Sequence, residues 1–90
     1  MEKQAVISAL AALAQETRLD VFRLLVRAGP DGLPAGEVGE ELGIPAATLS
    51  FHLKELRNAG LIDCEKIGKQ VYCRINRQLL EVLGDFLRED

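Results

Sequence analysis

The stretch EVGEELGIPAATLSFHLKELRNAGLI, residues 37–62, decides how this chain folds. Its opening predicts a short helix from about Ala35 to Leu42, presenting Val38 and Leu42 and ending at Gly43, a residue suited to a left-handed cap. Pro45 follows at or near the start of a longer helix, where its missing N–H does little harm. In that helix Leu49, Leu53 and Leu56 recur at helical spacing and mark one face for a core. The other face carries Ser50, Phe51, Lys54 and Glu55, and the helix stops at Asn58-Ala59-Gly60. A short helix, a tight Gly43-Ile44-Pro45 connection and a longer amphipathic helix make a helix-turn-helix pattern.

Beyond Gly60 the apolar period changes from 3.6 to 2. Ile62, Cys64 and Lys66 alternate with Asp63, Glu65 and Ile67, and after Gly68-Lys69 come Val71, Cys73 and Ile75 alternating with Tyr72 and Arg74. This predicts a β-hairpin. Asn76 can cap a last helix, Arg77 to about Arg88, which Leu79, Leu80, Val82, Leu83, Phe86 and Leu87 nearly encircle. Upstream, a helix from about Lys3 to Ala14 places Val6, Leu10 and Leu13 on one face. A second, Glu16 to Ala28, shows Leu19, Phe22, Leu25 and Val26 on its apolar face and is stopped by Gly29-Pro30-Asp31-Gly32. The expected fold is mainly α with a β-hairpin, in the order α-α-α-α-β-β-α: a winged helix-turn-helix forming a single domain over residues 1–90.

Ninety residues, 48% of them hydrophobic, suffice for one small folded domain. With no Trp, one Tyr and three Phe, so short a chain gains from dimerisation. No run is long and apolar enough for a membrane span. Glu2 and Glu16 bracket an amphipathic N-terminal pattern, which reads as a mature helix of a cytoplasmic protein, not a signal peptide. Net charge is −3, but the distribution is uneven. Between Pro45 and Arg77 lie six basic and three acidic residues, against five and eleven elsewhere. A locally basic stretch on an acidic body is compatible with DNA, because the local field governs phosphate contact.

In a helix-turn-helix the longer helix offers its N-terminal outer face to the major groove. Here that face would be Ala46, Ala47, Thr48, Ser50, Phe51 and Lys54, with Arg57 and Lys54 suited to phosphates. His52 reads as either a structural or a phosphate-contacting histidine. Phe51 either touches a thymine methyl or packs under the wing. The wing residues Lys66, Lys69, Gln70 and Arg74 are candidate DNA contacts, though a merely solvated hairpin would carry the same charges. Arg18 and Arg23 read as surface or intersubunit charges.

At these residues the chain resembles the ArsR family of winged-helix repressors. The likeness is carried by ETRLDVFRLL (16–25), the 37–62 stretch and GKQVYCRI (68–75). It implies a cytosolic homodimer that binds double-stranded operator DNA, occludes a promoter and is released by an inducer. It also implies a DNA-side role for His52 and a dimer interface built from the first and last helices, here Val6, Leu10, Leu13, Leu80, Leu83, Phe86 and Leu87. The metal sites of the family are not matched. Pro34 and Gly36 stand where a Cys-x-Cys would be, and residues 77–90 hold only the carboxylates Glu81, Asp85, Glu89 and Asp90. One histidine cannot build a nitrogen-rich zinc site, so no metal or other cofactor is expected. The LSFHL wording is similar to an arsenite-responsive branch, some members of which carry adjacent cysteines beyond the last helix; FLRED (86–90) holds none.

Cys64 and Cys73 are too few for a disulfide framework and are expected to be reduced. A Gly68-Lys69 turn would oppose them directly, and an Ile67-Gly68 turn would make them diagonal neighbours. They are either small hydrophobes under the hairpin or a thiol sensor, in which oxidation or capture of a small thiophilic inducer such as arsenite distorts the wing. No Ser-His-Asp set, phosphate loop or acid pair emerges, which argues against an enzyme. A winged helix that binds protein instead of DNA is the alternative that the acidic pI of 5.1 supports.

Overall fold

The computed structural model describes residues 1–89. Asp90, one of the carboxylates considered above, lies outside them. The elements run α1 (Lys3–Leu13), α2 (Glu16–Ala28), β1 (Leu33–Pro34), α3 (Ala35–Leu42), α4 (Ala46–Asn58), β2 (Ile62–Ile67), β3 (Gln70–Ile75) and α5 (Arg77–Arg88). Helices α2 to α5 each have a local reason to begin or end. The Gln15 side chain accepts from the Arg18 N–H at 2.8 Å and starts α2. Gly43 adopts φ 67°, closing α3, and the Ile44 N–H donates to the Gly39 carbonyl at 2.9 Å. Pro45 sits one residue before α4, where no N–H is required.

Asn76 is the joint between the wing and α5. Its Oδ1 accepts from the Leu79 N–H at 3.1 Å, its Nδ2 donates to the Gly60 carbonyl at 3.1 Å, and its own N–H donates to the Leu61 carbonyl at 2.8 Å. One side chain therefore caps α5 and ties it to the segment leaving α4.

The sheet has three strands in the order β1-β3-β2, all antiparallel. The sequence pattern announces only the hairpin, because two residues cannot display alternation and Pro34 reads as a breaker. Pro34 is tolerated because β1 is an edge strand, where a missing N–H is cheap. Between β2 and β3 the register is Ile62↔Ile75, Cys64↔Cys73 and Ile67↔Gln70, which selects the two-residue Gly68-Lys69 turn. Gly32 fixes β1 against β3: its φ is +72°, and a Cβ there would collide with the Cys73 carbonyl oxygen.

The core gathers Val21 and Leu25 from α2, Val38 from α3, Leu56 from α4, and Leu61, Ile62 and Cys73 from the sheet region, all fully buried. Two residues assigned to a dimer interface belong to this core instead. Val6 and Leu83 are each only 4% exposed within one chain. The apolar spacing of α1 and α5 could not separate the two fates, since burial within a protomer and burial between protomers demand the same side chains. The other positions differ: Leu10, Phe86 and Leu87 are exposed, and Leu13 and Leu80 are half-buried.

Candidate nucleic-acid interface

Helix α4 is held on the body by Leu49, His52, Leu53 and Leu56, which form its buried face. Gly39 lets α3 cross it closely, since a Cβ at that position would lie 3.1 Å from the Ile44 carbonyl oxygen and 3.4 Å from a Leu49 methyl. Turned outward are Ala46, Ala47, Thr48, Ser50, Phe51, Lys54 and Arg57, all exposed as the period requires. Asn58 is exposed too, four residues beyond Lys54 on the same line, and was open to the same periodicity argument.

His52 is a correction. It was assigned to the DNA side and is instead 8% exposed, the one buried polar side chain among the described residues. Its i+3 spacing from Leu49 and i+4 spacing to Leu56 place it in the apolar stripe, a signal that its polar character outweighed. Arg18 from α2 explains how the imidazole is accommodated. Its Nη1 lies 3.4 Å from His52 Nδ1 while its Nε donates to the Ala12 carbonyl at 2.7 Å. Arg18 is thus a half-buried strut joining α1, α2 and α4, not a free surface charge. Nothing in its own segment foretells that, because the partners are 6 and 34 residues away.

The wing stands beside this helix. Ser50 and Arg57 of α4, Gly36 and Glu40 of α3, and Val71 of β3 line one groove of about 620 Å³. Lys66, Lys69 and Gln70 are exposed along the hairpin. Arg74 is not free in the same way: its Nη2 donates to Glu65 Oε1 at 3.0 Å, with about a third of its side chain exposed.

Comparison with known proteins places the chain. A family described as a helix-turn-helix domain matches residues 13–65, more than half of the chain. The uncharacterized HTH-type transcriptional regulator YceK of Bacillus subtilis (strain 168) is 37% identical over 70 residues, 78% of this chain and 69% of that protein. The ArsR-like transcriptional regulator from Rhodococcus sp. RHA1 is 26% identical, with a TM-score of 0.80 over 93% of this chain and 76% of that one. The chain belongs to the ArsR family. As an ArsR-family winged helix-turn-helix protein it is a DNA-binding transcriptional regulator. The same fold, at 22% identity and a TM-score of 0.78 over 93% of this chain and 76% of the other, occurs in a homodimeric winged helix-turn-helix DNA-binding domain from Mycobacterium bovis, Mb0332.

Two further features concern the metal and thiol chemistry of this chain. Among the described residues, no group of three or more His, Cys, Asp or Glu side chains is placed to hold a metal ion. Cys64 and Cys73, expected as thiols, are bonded to each other across β2 and β3, with Cα atoms 4.2 Å apart. The β2–β3 pairing is unbroken on both sides of the bond. Directly opposed residues already lie within the Cα separation a disulfide needs or close to it. Cys73 is fully buried and Cys64 half-buried, so the bond has one side open to solvent.

Proposed function

We propose that the chain acts as a cytoplasmic, single-domain homodimeric repressor that occupies operator DNA and leaves it when a thiol-directed inducer opens the wing. The observation that carries this reading is the pairing of the exposed face of α4 with a basic hairpin on the far side of one shared groove. In this reading α4 enters the major groove, Thr48 and Ser50 reach bases or phosphates, and Lys54 and Arg57 hold phosphates. Lys66, Lys69 and Gln70 follow the backbone alongside. Arg74 orders the wing through Glu65 and contributes less to DNA, because its charge is already partnered.

The dimer is supported by exposed apolar side chains on α1 and α5: Ile7 and Leu87 are each half-exposed or more, with Leu10, Val82 and Phe86 close behind. The fold's occurrence in a homodimeric DNA-binding domain points the same way. Among the described residues no helix is long and apolar enough to cross a membrane. The inducer reading rests on the Cys64–Cys73 bond. Stable disulfides are rare in a reducing cytoplasm, where those present are mostly redox-active. Two equivalents of a small thiol would yield both protein thiols and one small disulfide, and a thiophile bridging the freed thiols would hold the strands apart.

Titrating a fluorescent duplex, selected from a random pool, at several salt concentrations tests the DNA reading. Affinity should fall steeply with salt, and Lys54→Ala should lower the slope of log K against log salt by about one. Absence of binding below micromolar concentration at low salt overturns the operator reading in favour of a protein-interaction module.

A further inference from the structure

Phe51 is the large apolar side chain that α4 turns to solvent, 56% exposed. The structure places it neither in the core nor under the wing. It lies at the centre of the outer line of the helix, with Ala47 one turn before it and Lys54 one turn after, so any surface that Lys54 meets through this face also meets the ring. Ala47 has only a methyl group, which leaves room for close approach.

The ring is also braced. It meets the His52 imidazole edge to face, centroids 5.6 Å apart at 63°. His52 is held by Arg18, and Arg18 by the Ala12 carbonyl. A side chain steadied in this way gives up less rotamer freedom when it binds than one free in solvent. Phenylalanine has no donor or acceptor, so it cannot read the hydrogen-bonding edge of a base. The one apolar group that the major groove presents is the C5-methyl of thymine.

We propose that Phe51 is a specificity-determining residue that reads the 5-methyl group of a thymine in each operator half-site. The proposal rests on the operator reading above, and the test separates the two. Duplexes enriched from a random pool by the full chain are remade with each thymine replaced singly by deoxyuridine, which removes the methyl group and leaves base pairing intact. At one position per half-site the replacement should weaken binding about fourfold, the worth of one buried methyl. Phe51→Ala should bind the thymine and uracil duplexes equally, with the salt slope of the parent. Phe51→Leu, still apolar, should keep part of the penalty. Because the side chain is exposed, circular dichroism should show both variants folded. The inference is overturned if every uracil duplex binds the parent as its thymine counterpart does, or if Phe51→Ala keeps the full penalty. A parent that enriches no duplex overturns the operator reading, and this one with it.

Discussion

Opening the Cys64–Cys73 bond should destabilise the fold by about 2.7 kcal/mol. The bond joins residues nine apart and closes a ten-residue ring, residues 64 to 73. In the chain-entropy account, a ring of this size removes roughly 9 cal/mol/K from the unfolded ensemble, which is the quoted value at 25 °C. Two structural facts keep the native state from altering that figure much. The ladder continues past the bond to Ile67↔Gln70, so the hairpin is closed with or without it. Cys73, buried completely, remains a small apolar side chain when reduced. Unfolding entropy for 90 residues is about 0.19 kcal/mol/K, so the midpoint should fall by roughly 14 °C.

Circular dichroism melting with and without dithiothreitol measures this, at one protomer concentration because dimerisation shifts the midpoint by mass action. The chain has two cysteines, so the reductant has no other target. The variant with Cys64→Ser and Cys73→Ala, which keeps the buried position apolar, must melt near the reduced parent and ignore dithiothreitol. Operator affinity, followed in parallel, should fall when a thiophile such as arsenite is added to the reduced parent and stay constant in the variant. A midpoint change under about 3 °C would refute the constraint argument. Equal operator affinity of the reduced parent with and without the thiophile would remove this pair as the sensor.

Two further outcomes follow from packing. Gly32→Ala should destabilise by about 3 kcal/mol in chemical denaturation, since it combines a positive φ with a collision against backbone that cannot swing aside. Gly43→Ala, at φ +67° and ψ 36° with nothing within 4 Å, should cost only about 1 kcal/mol, and equal losses at the two sites would contradict the close β1–β3 approach. Leu87→Glu, which alters an exposed side chain on α5, should convert a dimer to a folded monomer by light scattering; an unchanged mass would place the interface elsewhere.

How much of this was legible beforehand depended on the range of the interaction concerned. The helices were readable because periodicity, Gly43, Asn76 and the Gly29-Pro30-Asp31-Gly32 stop act within a few residues. The β2–β3 register was readable down to two options for the same reason. What escaped was set by distant partners. β1 exists because Leu33 and Pro34 meet Cys73 and Tyr72 some forty residues later. His52 looked like a groove contact because its partner, Arg18, is 34 residues upstream. Val6 and Leu83 were correctly read as buried, but one chain's pattern does not say against what. The outer face of α4, by contrast, follows from its own spacing, so Ala46 through Arg57 fell where the period put them, with His52 the one exception.

The Asn76 joint bears on operator geometry. In a dimer built through α5, the distance between the two groove-entering helices is a property of how α5 leaves the wing, and Asn76 holds that departure point. A helix of twelve residues is an arm of about 18 Å, so a 10° tilt at its root displaces the far end by about 3 Å. Half-sites recur about 34 Å apart along the duplex, and an error of that size is nearly one base-pair step. In such a dimer the amide that caps α5 would act as a caliper setting, and the half-site spacing it accepts would depend on three hydrogen bonds far from any base.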